Sequence, residues 1–377
     1  TNLDLTECTQ INDFSFLQHC KNLTELNLSS CKHIDDFSFL KNCKELTHLD
    51  LTACEQINDI SFLENCNKLI ELNLSGCKHI DDISILENCR NIRDLNLTWC
   101  EGINDINFLQ RCTNLRTLNL SRCAQFNDIS FLGLCEELRD LNISHCTHIN
   151  DISFLQYCQK LTSLDLKACT QINDFSFFQY CKKITSLNFT RCTQINDFNF
   201  LQYCKELKSL NLLLCSQIND MSFLRHCEEI ESLDVSFNIE INDFRFIEQC
   251  KKLKNLSLAG CNQINDFSFL EHCIELVNLN LSICYCNKIN DFRFVKYCKK
   301  LTHLNLSYCT QINDFSFLQN CKKLADLDLS CCVQMNDFSF LQNCNELRTV
   351  KLDGCLISDS KIQFFINKGL KVICKRE

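Results

Sequence analysis

The chain has 377 residues, 45% of them hydrophobic, and its 38 Lys and Arg against 47 Asp and Glu leave a net charge of −9. That balance excludes a general grip on nucleic acid, which needs Lys and Arg clustered on one face, and no run of 18 apolar residues is present to span a membrane as a helix. Proline is absent and only six glycines occur, which leaves no obvious linker and no phosphate-binding glycine loop.

A 23-residue period runs through almost everything that follows. Its anchors step from Leu3, Leu26 and Leu49 to Leu279 and, after a two-residue slip, continue as Leu304, Leu327 and Val350. A period of this length marks stacked supersecondary units, so the chain reads as one elongated array and not as two or three globular domains. The sequence opens inside a repeat, at Thr1-Asn2-Leu3-Asp4-Leu5, with neither an initiator Met nor a signal peptide. The expectation is a segment whose N-terminal cap lies upstream.

The repeat spanning residues 23 to 43 shows the local logic. Leu23, Leu26 and Leu28 alternate with Glu25 and Asn27 in the period-two pattern of a short, half-buried strand. Cys31 and Ile34 turn the chain inward. Asp36 to Leu40 then opens a return segment in which Phe37, Leu40 and Cys43 recur every third residue, which predicts a short 3₁₀ or α turn. Asp36 or Ser38 is placed to cap its first N–H groups. One repeat buries too little apolar surface to offset the entropy of ordering 23 residues. Stacked neighbours supply parallel strand hydrogen bonds and cover both open faces of each layer.

About sixteen such units fill residues 1–355. From 356 the character changes: Ser360 to Asn367 reads as an amphipathic helix carrying Ile362, Phe365 and Ile366, Gly369 ends it, and Leu370 to Ile373 supplies a last strand. The stretch 356–377 is the expected C-terminal cap.

The 33 cysteines would by count alone imply a disulfide scaffold. Their placement implies otherwise. Fifteen follow the strand (Cys8 to Cys355), fifteen sit on the return segment (Cys20 to Cys344), and Cys286, Cys331 and Cys374 are extra. No C-x-x-C pair occurs, so no zinc spacing is met. Equivalent Cα atoms on neighbouring strands lie about 4.8 Å apart, within disulfide range, but parallel Cβ vectors keep the sulfurs side by side. The expectation is reduced packing thiols in a reducing, cytoplasmic compartment, with Cys284, Cys286, Cys331 and Cys332 as the reactive exceptions. A column of Asp residues (Asp13, Asp59, Asp105, Asp151, Asp174) could hold Ca²⁺ between layers, yet a local bond from each to a nearby backbone N–H explains one Asp per repeat without an ion. His145 and His148 share a turn but have no fixed acidic or Ser partner. The reading is therefore non-enzymatic, with no metal and no cofactor.

The pattern L-x-x-L-x-L-x-x-C-x-x-I, sixteen times over, resembles the leucine-rich-repeat superfamily. Its return half, Ile34-Asp35-Asp36-Phe37-Ser38-Phe39-Leu40, is similar to the short internalin-type repeat lengthened by one residue, and the Cys after the strand is similar to that of F-box substrate receptors. The resemblance implies an α/β solenoid, a curved right-handed superhelix, with a concave parallel sheet of about 16–17 short strands and short 3₁₀ or α segments on its convex side. At strand eleven the Cys becomes Asn238. In leucine-rich repeats this site takes Asn or Cys, because its side chain meets backbone groups in the inward turn.

Outward positions would line the concave side. The middle row (Asn27, Asp50, Asn73, Asn96, Asn119, Asn142, Asp165) is nearly uniform and reads as a hydrogen-bonding ladder. The row before the Cys varies: Trp99, Arg122 and His145 form one group, Arg191, Leu213, Leu214 and Phe237 another, with Tyr308 further on and Tyr285 in the two-residue insertion. Trp, Tyr and Arg are the side chains enriched at interface hot spots. From the second repeat onward the four outward rows carry ten acids against four bases, so a basic or polar protein ligand on the concave face is the natural partner. Asn-x-Ser/Thr triplets at Asn27, Asn73 and Asn96 would place glycans on that face, which argues against a eukaryotic secreted ectodomain. The function read from the sequence is a protein-interaction module. The alternatives are the substrate-recognition part of a ubiquitin ligase whose F-box or catalytic domain lies elsewhere, and a bacterial or protist surface adhesin or effector.

Overall fold

A computed structural model describes residues 2–11, 13–284, 292–335, 337–342 and 344–375. It divides into two compact units, 1–188 and 189–377. Among the described residues the first unit holds nine three-residue strands, from Asn2–Asp4 to Ser186–Asn188, and the second holds eight, from Ser209–Asn211 to Lys371–Ile373. Within each unit neighbouring strands pair in parallel with the anchors in register, Leu26 beside Leu49 in the first and Leu210 beside Leu233 in the second. In the second unit Leu279 pairs with Leu304, so the two-residue slip leaves the strand pairing intact. The inserted Tyr285 and Cys286 lie outside the described residues.

Each layer is closed by the same few bonds. Leu23, Leu26 and Leu28 are buried. The strand Glu25–Asn27 ends because Asn27 Oδ1 accepts the N–H of Ser29 at 2.9 Å, an Asx turn that competes with further pairing. Ser30 then adopts a left-handed φ of 62° and Cys31 enters the core. Further on, Asp36 Oδ1 accepts the Ser38 N–H at 2.8 Å and opens a 3₁₀ helix, Ser38–Asn42. The return segments are 3₁₀ in every described repeat.

Phe39 departs from the period-three reading: it is buried along with Phe37, and so are its counterparts Phe62, Phe154, Phe177 and Phe223. The two positions meet between layers, with Phe37 over Phe62 at 5.5 Å and Phe244 over Phe269 at 5.7 Å between ring centroids. The last α-helix, Asp359–Asn367, is capped by Ser358, whose hydroxyl accepts the Lys361 N–H, and the strand Lys371–Ile373 pairs with Thr349–Lys351.

Candidate functional site

The columns that looked chemically active resolve first. Thirteen of the thiols after the strand donate to a backbone carbonyl of the preceding layer at 3.0–3.3 Å, as Cys31 does to Leu5, Cys123 to Leu97 and Cys215 to Phe189. Asn238 occupies the same place and does the same work: its Nδ2 donates to Leu212 O at 2.8 Å and to Val235 O at 2.9 Å. The interchange of Asn and Cys thus rests on one donated bond. Most thiols of the return column reach carbonyls of the preceding layer at longer range, nine of them at 3.5–3.9 Å, while Cys181 donates to Leu155 O at 3.1 Å.

All cysteines among the described residues are free, and no cluster of metal-ligating side chains is formed among them. Burial pushes the thiols up, Cys54, Cys66, Cys77 and Cys89 to about 12 and Cys112 and Cys123 to about 11. A thiol held neutral is a poor nucleophile and a poor ligand. The Asp column is equally local. From Asp13 to Asp337 each described member accepts the N–H two residues on, at 2.7–3.0 Å. Asp243 also holds Arg245 (Nη2 to Oδ2, 2.6 Å), and the hydrogen bonds from Arg245 lower its carboxyl to about 2.

The sheet face remains. Its middle row is not mainly a ladder between strands: most of its Asn and Asp residues are spent within their own layer, as Asp50 is on Thr52 N–H (2.8 Å) and Asn119 on Ser121 N–H (2.9 Å). Cross-strand bonds are occasional, as from Asn73 Nδ2 to Asp50 Oδ2 at 3.2 Å. The variable row lies beyond the strands, in the turn that follows each of them. Among the described residues all sixteen members have positive φ, and only Gly76, Gly260 and Gly354 are glycine. Side chains with a β-carbon are disfavoured there. Even Ile283, β-branched, sits at 58°.

The residues picked from the sequence that are described all fall on this rim or beside it. In the first unit Trp99 lies between two cations, Arg122 at 4.6 Å and Lys78 at 5.0 Å from its ring centroid. His145 is half-buried one layer on. In the second unit Arg191 is exposed while Leu213 and Leu214 are half-buried. The Arg191 N–H donates to Leu213 O at 2.8 Å and joins their layers. Phe237 stays 37% exposed with its ring on Gly260, where an added β-carbon would come within 2.6 Å of Phe237 Cδ1. Tyr308 is exposed, and Tyr285 lies outside the described residues.

The sequence reading missed a groove on the strand face of the second unit. It spans about 500 Å³, and its floor includes Ser209, Ser232, Asn255, Asn278, His303 and Asp326. The available signal was the switch at the first strand position from acids (Glu25, Glu71, Asp94, Asp140) to Ser and Asn. At its far end His303 Nε2 meets Asp326 Oδ2 at 2.9 Å and Nδ1 meets Thr302 Oγ1 at 2.7 Å.

Two family models match the chain. One, described as leucine rich repeats in two copies, covers residues 1–42, 21–65 and 228–272, and the other, a leucine rich repeat, covers 65–85, 88–106, 111–130 and 297–314. No curated protein sequence matches. Among solved structures, an internalin (InlF) of Listeria monocytogenes is similar at 25% identity and TM-score 0.61, over 86% of this chain and 84% of that one. A leucine-rich-repeat protein of Leptospira interrogans is similar at 18% identity and TM-score 0.66, over 96% and 98%. A chain of the Drosophila Toll–Spätzle complex is similar at 16% identity and TM-score 0.63, over 92% of this chain but 53% of that one.

Proposed function

We propose, from the premise that this chain belongs to the leucine-rich-repeat superfamily, that it is a non-enzymatic interaction module binding a protein partner across the strand face and its rim. Proteins of this fold serve as interaction scaffolds, and nothing among the described residues points to catalysis. The observation that carries the finer reading is the rim. At a backbone position where glycine would be the least strained choice, thirteen layers keep a side chain, among them Trp99, Arg122, Arg191, Phe237 and Tyr308. Large side chains held where the frame does not want them are accounted for by a ligand that does.

The acids on the first unit's strand face (Glu25, Asp50, Glu71, Asp94, Asp140 and Asp165) favour a basic or polar partner. The groove of the second unit, where Ser and Asn alternate with Asp234, Asp326 and Asp328, favours a polar stretch of the same ligand. The sealed, neutral thiols fit a reducing, cytoplasmic setting. Replacing Leu214 and Phe237 by Ser tests the reading through affinity capture from the source cell. The partner should be lost while the thermal transition stays within a few degrees. Undiminished capture would remove the rim from the interface.

A further inference from the structure

Outside the strand face, one stretch of the first unit's return side stands apart from its neighbours. The two residues before each return-segment Cys include a charge in four successive layers, at Lys41, Glu64, Glu87 and Arg111. In the next three layers these pairs become Gly133-Leu134, Gln156-Tyr157 and Gln179-Tyr180. Leu134, Tyr157 and Tyr180 are 56%, 59% and 47% exposed, in three consecutive layers, whereas Phe16, the other large apolar side chain as open on that side of the unit, stands alone in the first layer. Gly133 helps to lay the stripe flat, since a β-carbon there would sit only 3.3 Å from Tyr157 Cδ2. An uncharged stripe of this kind on a protein surface marks a contact site.

What covers it is indicated by the residues two positions further along the same turns. They are Glu136, Gln159 and Lys182, all exposed, so an acid, a neutral amide and a base stand in order beside Leu134, Tyr157 and Tyr180. We infer that the occupant is a second copy of this chain, docked through a two-fold axis that crosses the stripe at right angles at Tyr157. Such an axis reverses the order of the layers and keeps each row in place. Leu134 then meets Tyr180 of the other copy and Tyr157 meets Tyr157. Glu136 meets Lys182 twice, and Gln159 meets its own equivalent. In the next row Glu137 meets Lys183 twice, and Lys160, which falls on the axis opposite its own equivalent, is partly neutralised by Glu137 within its own copy. Two chains of net charge −9 repel elsewhere, and this patch is charge-complementary to itself.

Sedimentation equilibrium of the 377-residue chain over a concentration series tests the inference. A reversible dimer is expected. Tyr157→Arg, which opposes two cations at the axis, should weaken it by about tenfold or more. Glu136→Lys alone and Lys182→Glu alone should each weaken it about tenfold, and the double variant Glu136→Lys/Lys182→Glu should restore it. All these positions are exposed, so circular dichroism should show the fold unchanged. A wild-type chain that stays monomeric up to about millimolar concentration overturns the inference, whatever else the stripe binds. A dimer indifferent to the charge swaps, or not recovered by the double variant, overturns the two-fold pairing.

Discussion

Trp99 and Cys100 are bonded neighbours, yet they belong to regions governed by opposite rules. Cys100 is sealed in a column of which thirteen members do one thing, donating an S–H to a carbonyl of the layer before, in its case Leu74 O at 3.1 Å. Trp99 stands on the rim in a left-handed turn, partly exposed, in a row where scarcely two neighbouring layers agree. The same contrast recurs at Arg122 and Cys123 and at Phe237 and Asn238. The thiol column shows what the frame requires of every layer. The rim shows what the frame merely tolerates, which is why the proposed interface is placed there.

The largest effect available lies in the thiol column. A free thiol ionises near 9.0, whereas burial holds Cys54, Cys66, Cys77, Cys89, Cys227 and Cys250 up to about 12. Below the unfolded value both states are protonated and the thiols contribute their full stabilisation. Between about 9 and 12 the unfolded chain has lost these protons and the folded one keeps them, so stability falls as pH rises, by about 1.4 kcal/mol per pH unit for each sealed thiol. With many such thiols, the chain should unfold cooperatively soon above pH 9. Circular dichroism against pH checks this, and a fold that persists to pH 11 would show that the columns are not sealed.

A smaller effect separates the two thiol columns. Cys123 donates to Leu97 O at 3.0 Å, while Cys112 reaches Cys89 O at 3.9 Å, and both are fully buried. Each Cys→Ala change opens a similar small cavity, but only Cys123→Ala also removes a short donated bond, from a carbonyl that keeps the Cys100 N–H. It should cost about 1.5–2.5 kcal/mol, against about 1 kcal/mol for Cys112→Ala. Denaturant melts of the two variants measure the gap, and equal losses would reduce the donated bond to packing.

Much of the frame was legible in the sequence for a physical reason: every layer solves the same burial problem, so the solution repeats. The strand anchors, the thiol column and the terminal helix near 360–367 are visible because Leu26, Cys31 and Ile362 sit in periodic or amphipathic patterns. Asn238 betrays the bond that its Cys counterparts make. The left-handed rim was hidden because its usual signature, glycine, is kept only at Gly76, Gly260 and Gly354. Phe39 was hidden because two nearby Phe residues point inward from one 3₁₀ turn, which a period of three does not anticipate. The groove floor depends on how neighbouring strands are juxtaposed, and no single repeat contains that information.

The least effect is the most direct probe of the rim argument. Ala53 sits at φ 56° with its N–H bonded to Ser75 O at 2.7 Å, and the next layer already has a glycine, Gly76, at 79°. Ala53→Gly keeps that bond, removes a strained β-carbon and gives up almost no buried surface. Relief of strain near 1–2 kcal/mol is partly offset by the greater freedom of glycine in the unfolded chain, about 0.5–1 kcal/mol. The net gain should therefore be up to about 1 kcal/mol, readable as a small rise in the thermal midpoint. A fall instead would mean that these turns accept side chains without strain. Trp99, Phe237 and Tyr308 would then need no ligand to explain their presence.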